Sequence, residues 1–157
     1  MSYWDERYET EKMIWGTDPS GTASLADKIF QTHNCKSLLV PGCGYGRNAN
    51  YYQTKGYKVT GIDMSGVAID MARKTNSAID YITGSVLDVE IKGPFDAIYG
   101  FNILHLFLEH DRKKFISRCH QLLGNGGIAF FTVFSDQEST SGRGRLIEPN
   151  TFESKPG

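Results

Sequence analysis

LLVPGCGYGRNA, residues 38–49, sets three glycines within five positions directly after an apolar run. Glycine is used where the chain adopts a conformation closed to other residues, or where something approaches the backbone closely. A tight turn needs one such residue, so three suggest a ligand. A dinucleotide-binding loop has the pattern G-x-G-x-x-G, its third glycine allowing close helix–strand packing. Here Gly42, Gly44 and Gly46 are followed by Arg47 at the place of that third glycine. A phosphate loop of the Walker type is excluded as well, because no Gly-Lys-Ser/Thr closes the run. What remains is a loop whose backbone passes close to a ligand without phosphate.

Working outward, SLLV (37–40) is a short buried strand and Arg47 to Thr54 is the helix that the loop opens. Upstream, Ser24 is a candidate N-cap for a helix through Leu25, Ile29 and Phe30. The first 23 residues are aromatic and acidic (Tyr3, Trp4, Tyr8, Trp15) and end in TDPSGT, which predicts a helix and loop lying over a site. Downstream, KGYKVTGID (55–63) is a turn feeding a strand, and Ser65 caps the helix VAIDMARKTN (67–76). DYITG (80–84) and FDAIYGF (95–101) are further strands, separated by a loop closed at Gly93-Pro94. HDRKKFISRCHQLL (110–123) has the spacing of a helix facing a core through Phe115, Ile116, Cys119, Leu122 and Leu123. GNGG stops it, and IAFFTVF (128–134) is the fifth strand. This alternation predicts a single α/β domain over residues 1–157, a doubly wound Rossmann-like parallel sheet with helices on both faces. Ligands of such sheets lie beyond the carboxyl ends of the strands, where the glycine loop is.

Asp63 ends the second strand, where a carboxylate can accept both hydroxyls of a ribose; the alternative is a turn or helix-capping aspartate before Met64 and Ser65. Charge and cysteine content bound the rest. With 17 Lys+Arg against 18 Asp+Glu the chain has no global field to draw it onto nucleic acid or anionic lipid. No apolar stretch reaches the roughly 18 residues that span a bilayer. The opening MSYWDERYE is too polar for a signal peptide, so a cytoplasmic location is expected. Cys35, Cys43 and Cys119 lack paired metal-site spacing and read as reduced thiols, with no metal site. STSGRGR (139–145) reads as a solvated loop.

VPGCGYG (40–46), GIDMS (61–65), TGSVLDV (83–89), FDAIYGFNILH (95–105) and LLGNGGIAFF (122–131), taken in order, resemble the class I S-adenosylmethionine-dependent methyltransferases over almost the whole chain. The resemblance implies S-adenosyl-L-methionine as cofactor. It places Gly42, Gly44 and Gly46, with Cys43, Arg47 and Asn48 beside them, along the methionine and ribose. Asp63 falls on the ribose hydroxyls, Met64 on adenine, and Ser85 and Val86 at the adenine edge. Phe101 and Asn102 fall near the methionine portion and the reacting sulfonium. Two positions depart from the family: Val40 stands where an acidic residue usually orients the cofactor's amino group, and Ser85 where an Asp often accepts from adenine. Asp88 is a candidate substitute for the latter.

LVPGCG is similar to the thiopurine, thiol and halide methyltransferases, and GCGYGRNA to the tellurite-resistance group. YWDERYETEKMIWG looks like the aromatic segment that closes over the cofactor in both. The likeness implies a small polarisable acceptor, such as a thiol, a halide, or a selenium or tellurium species, and an already anionic nucleophile requires no strong base. No catalytic residue stands out: His105 and His110 are candidates that also suit packing or capping, and Cys43 suits packing. Trp4, Tyr8 and Trp15 either face the sulfonium or staple the N-terminal segment down. Arg47 and Arg143 either attract an anionic acceptor or are solvated. Against the family's seven-strand sheet, the chain reads as short by roughly 40 to 50 residues. The fifth strand is then an uncovered apolar edge open to self-association. Alternative readings are a cofactor-binding fragment or pseudoenzyme, and a methyltransferase acting on a larger metabolite, protein or RNA.

Overall fold

The computed structural model describes residues 2–134. Helix α1 (Tyr3–Glu11) and α2 (Ala23–Thr32) precede strand β1 (Ser37–Pro41), which leads through the glycine loop into α3 (Arg47–Thr54). Then follow β2 (Lys58–Asp63), α4 (Gly66–Thr75), β3 (Asp80–Thr83), β4 (Phe95–Phe101), a 3₁₀ turn (Leu104–Leu106), α5 (Glu109–Leu122) and β5 (Leu123–Thr132). The strands form one sheet in the order β3-β2-β1-β4-β5, and every pairing is parallel. This is the α/β Rossmann-like architecture. The strand order reverses between β1 and β4, so the loops after those two strands flank one crevice.

The sheet is covered on both faces because β1 and β4 are apolar on both sides. Leu38, Val40, Ala97 and Tyr99 pack with Phe30, Tyr52 and Ile69, whereas Leu39 and Ile98 pack with Phe115, Cys119 and Leu122. Ile116, expected in that second layer, is 45% exposed on α5. It lies one position past Phe115, about 100° around the helix, so the buried stripe continues through Cys119 and Leu122 instead. GNGG is not a gap between helix and strand either. Leu123 already pairs with Phe95 while Ile128 pairs with Ala97, so the glycines are an irregularity inside β5. The cap of α2 also differs from expectation: the helix begins at Ala23 with Thr22 at the N-cap. Thr22 makes no capping bond because its hydroxyl is shared with that of Tyr99, 2.9 Å away.

Three glycines in the loop do not by themselves require a ligand, since the backbone demands each of them. Gly42, Gly44 and Gly46 have φ of 65°, 55° and 86°. Gly46 is buried at the N-cap of α3, where a Cβ would strike the Tyr81 hydroxyl and lie 3.3 Å from Ala72 Cβ. Its missing side chain lets α3 approach β3 and α4. That packing role is the one the dinucleotide pattern assigns to a glycine one residue later.

The N-terminal segment is latched to the sheet by polar contacts. Asp5 accepts from the Ser65 hydroxyl at 2.6 Å and from Val67 N–H at 3.4 Å, joining α1 to the first turn of α4. A carboxylate there also complements the positive end of the α4 dipole. Further along, Tyr45 O–H donates to Gly16 C=O at 2.7 Å and accepts from Trp15 N–H at 2.9 Å. Asn48 Oδ1 accepts from Ser20 N–H at 2.8 Å. Arg47, expected as a solvated or acceptor-facing charge, instead donates to the carbonyls of Trp15 (3.4 Å) and Asp18 (3.2 Å) and lies over the Phe101 ring.

Two outcomes follow from this packing. Gly46→Ala should lower folding stability by at least the roughly 1–2 kcal/mol of a left-handed non-glycine residue, measured as a shift in urea midpoint at unchanged slope. The hydroxyls of Ser65 and Ser2 hold the Asp5 carboxyl down at about 2 against an ordinary 3.8. The latch should therefore contribute fully above pH 3.8 and be lost as pH falls through 2. Trp4 and Trp15 emission should report that loss in the wild type, and Asp5→Asn should remove this acid limb and make α1 protease-sensitive at neutral pH.

Candidate active site

A cavity of about 490 Å³ opens beyond the carboxyl ends of β1, β2 and β4, within the range of small-molecule sites. It is walled by stretches distant in sequence: α1, Trp15, the glycine loop, the end of β2 with Met64, Gly84 to Val86 after β3, residues 101–107, and Phe134.

Gly42, Cys43, Gly44, Arg47 and Asn48 line one wall, together with Val40 at the end of β1. Gly46 does not reach it, having been drawn into the packing of α3 described above. Cys43 is a packing residue: its thiol points to Gly44 C=O, and burial together with the Asp63 charge pushes its pKa well above the ordinary value. Asp63 stands at the end of β2, with one carboxylate oxygen accepting from Gly44 N–H at 2.8 Å and the other from Ser65 N–H at 2.9 Å. Turn aspartate and cavity-lining carboxylate are thus the same residue. Ser65, not Asp63, caps α4, accepting from Ala68 N–H at 3.1 Å. Burial raises the Asp63 pKa above 3.8, partly offset by the N–H donors.

Met64, 63% exposed, and Ser85 and Val86 form the neighbouring wall. Ser85 turns its hydroxyl oxygen to Leu87 N–H at 3.2 Å. Asp88 is no substitute for it, because it lies on the surface and pairs with Lys114 at 2.8 Å.

Trp4, Tyr8 and Trp15 also line the cavity, and their rings form a cluster with Tyr45 in which Trp15 stacks on Tyr45 and the other pairs are edge-to-face or tilted. Arg7 lies 5.6 Å from the Trp4 ring centroid and 5.7 Å from that of Trp15, so one face of each ring already receives a cation from within the chain. Across the cavity, Asn102 has φ 52° and is held by Thr132, which accepts from its N–H and donates a hydroxyl to its Oδ1 at 2.9 Å. This bend aims the following residues inward. Phe101, Asn102, Ile103, His105, Leu106 and Phe107 all line the wall.

Tyr45, Ile103, Leu106 and Phe107 were not singled out in the sequence. A pattern of apolar residues either side of His105, immediately after β4, was the signal available. His110 is exposed on α5 beside Asp111 and does not line the cavity. Arg143 and the 139–145 stretch lie outside the described residues. Among the described residues no group of three His, Cys, Asp or Glu is placed to hold a metal. No described helix is long and apolar enough to cross a membrane.

Residues 39–127 match the model of the methyltransferase domain family. An uncharacterized methyltransferase of Schizosaccharomyces pombe is 31% identical over 106 residues, covering 64% of this chain and 73% of that protein. The ubiquinone biosynthesis O-methyltransferase of Pseudomonas aeruginosa is 32% identical over 108 residues, covering 64% of this chain and 45% of that protein. Among solved structures, that reported for conversion of a disulfide bond into a thioacetal group during echinomycin biosynthesis superposes with TM-score 0.73 at 26% identity, covering 85% of this chain. A TehB-like SAM-dependent methyltransferase from Corynebacterium glutamicum gives TM-score 0.65 at 25% identity, covering 80% of this chain. The chain spans 58% and 68% of those two structures. A match over residues 39–127, carried on a five-stranded sheet of the matching fold, means that the chain belongs to the methyltransferase domain family.

Proposed function

We propose that this cavity binds S-adenosyl-L-methionine and carries methyl transfer to a small-molecule acceptor, a thiol being the class it suits best. The cofactor is S-adenosyl-L-methionine, and the residues present suit it. The two Asp63 oxygens accept backbone N–H groups of Gly44, Ser65 and Met64, and a carboxylate's roughly four acceptor positions leave room for ribose hydroxyls. Met64 and Val86 offer apolar surface to adenine, and Gly42 and Gly44 let the methionine portion run along the backbone. Apolar Val40 cannot receive the cofactor's amino group, and Asn102 Oδ1 has a lone pair left for it on the opposite wall. When bound, the cofactor supplies an electrophilic methyl on a sulfonium. The chain orients it, and α1 with Trp15 covers it from water.

The observation that carries the acceptor class is the wall formed by Phe101, Ile103, Leu106, Phe107 and Phe134, which is apolar and, among the described residues, contains no carboxylate. It favours a polarisable, weakly hydrated nucleophile over a sugar or a charged amine. The sulfur chemistry named for one structural neighbour and the TehB-like character of another point the same way. The name of the ubiquinone relative favours a second reading, a phenolic oxygen acceptor in the same apolar pocket. A cytosolic setting suits three buried, unpaired cysteines. Self-association through β5, which among the described residues pairs only with β4, is a further proposal.

Calorimetry with S-adenosylhomocysteine should give binding to the wild type. Asp63→Ala should weaken it about 10- to 100-fold, the loss of one charged hydrogen bond of roughly 1.5–3 kcal/mol. Undiminished affinity in that variant would remove the ribose assignment. Because the ionised carboxylate is the acceptor, affinity should fall as pH drops through the raised Asp63 pKa and be flat above it. Turnover with panels of alkyl thiols, catechols, iodide, selenite and tellurite separates the two acceptor readings.

A further inference from the structure

The acceptor wall holds one imidazole. His105 is 3% exposed, sits in the 3₁₀ turn after β4, meets the Phe134 ring at 4.8 Å, and lines the same cavity as Phe101 and Asn102. We propose that His105 is the proton acceptor of the reaction, and that the substrate is accordingly a neutral protic nucleophile, a thiol or a phenol, rather than a preformed anion. This rests on the methyl-transfer reading above.

Among the described residues, the other ionisable groups facing the cavity are poorly suited to take a proton there. Asp63, on β2, is spoken for by Gly44 and Ser65 N–H and lies on the ribose side. Tyr45 O–H is used on Trp15 and Gly16. Tyr8, on α1, and Cys43 are buried, with pKa values raised far from neutrality. Tyr3 stands at the exposed mouth, and Arg47, on α3, is a permanent cation bound to two carbonyls. From α5, Arg112 lies near the turn with its guanidinium on Phe107 C=O. Only an imidazole ordinarily changes charge near pH 7. A thiol, with an ordinary pKa near 8.5, arrives mostly protonated and must lose that proton as it reacts.

The step balances as follows. A lone pair of the acceptor sulfur or oxygen forms the bond to the methyl carbon, the carbon–sulfonium bond breaks with its electron pair staying on the departing sulfur, and the S–H or O–H proton passes to the His105 imidazole and then to solvent. Positioned proton transfer of this kind is worth about 10²–10⁴-fold.

The test compares wild type, His105→Gln and His105→Asn with benzyl mercaptan, catechol and iodide, the last having no proton to lose. Equal S-adenosylhomocysteine binding by all three proteins establishes that the cofactor site is intact. Turnover of benzyl mercaptan or catechol should fall about 100-fold or more in both variants, and the ascending limb of log kcat against pH should disappear. Any iodide methylation should stay within about twofold. Equal losses for iodide and mercaptan, or a surviving pH limb, would overturn the proposal. So would wild-type turnover of iodide alone. Independently of turnover, the His105 ring resonances of wild type holding S-adenosylhomocysteine should shift on adding benzyl mercaptan or catechol, and an unmoved imidazole overturns the assignment. Failure of S-adenosylhomocysteine to bind at all is the distinct result that removes the cofactor reading.

Discussion

The Asp63 carboxylate joins three elements that diverge from one another at the end of β2. One oxygen takes Gly44 N–H from the loop after β1, and the other takes Ser65 N–H at the start of α4. A second contact, Cys43 N–H to Ile62 C=O at 3.1 Å, ties the same loop to the same strand. The glycine loop is thereby held open over the strand ends, with its backbone turned toward the cavity. Such a carboxylate is costly to bury, which is why its pKa is raised, and backbone donors offset part of that cost. The glycine-loop wall and, through Ser65, the docking of α1 are positioned from this junction.

The N-terminal segment depends on it next. Ser65 receives Ala68 N–H as a cap and donates to Asp5, so the start of α4 and the docking of α1 share one hydroxyl. Tyr45, one residue past Gly44, holds Trp15 and Gly16, and Arg47 holds Trp15 and Asp18. The covering segment is thus attached through the glycine loop itself, and the aromatic cluster of Trp4, Tyr8, Trp15 and Tyr45 fills the space between. Arg7, held against the two tryptophan rings, strengthens that cover with a cation from the same helix.

Opposite, the bend at Asn102 performs the matching task for the apolar wall. A positive φ at a non-glycine residue persists only where its surroundings over-determine it, and Thr132 does so with two hydrogen bonds from the neighbouring strand. The bend sends residues 103–107 back along the cavity, with His105 between Ile103 and Leu106. One side of the cavity is polar and hydrogen-bonded, the other apolar with one titratable ring, and the boundary between them is the switch point of the sheet.

Much of this was written in local sequence. Alternating apolar runs and caps, with Ser65 before α4 and the glycine loop after SLLV, specify the strand–helix order because those signals act over a few residues. The spacing of GCG to Asp63 located the polar wall for the same reason: both stand at the ends of adjacent strands. Three features escaped that reading. Gly46 serves the packing of α3 against Tyr81 and Ala72, Arg47 clamps the N-terminal segment, and Asp88 turns out to Lys114. The partners lie between 26 and 35 positions away along the chain in each case, and only the closed sheet brings them within reach. The sequence alone therefore determined the architecture and the strand ends beyond which the cavity opens. Tertiary structure decided which side chains face that cavity, because facing is set by contacts between elements that no local period encodes.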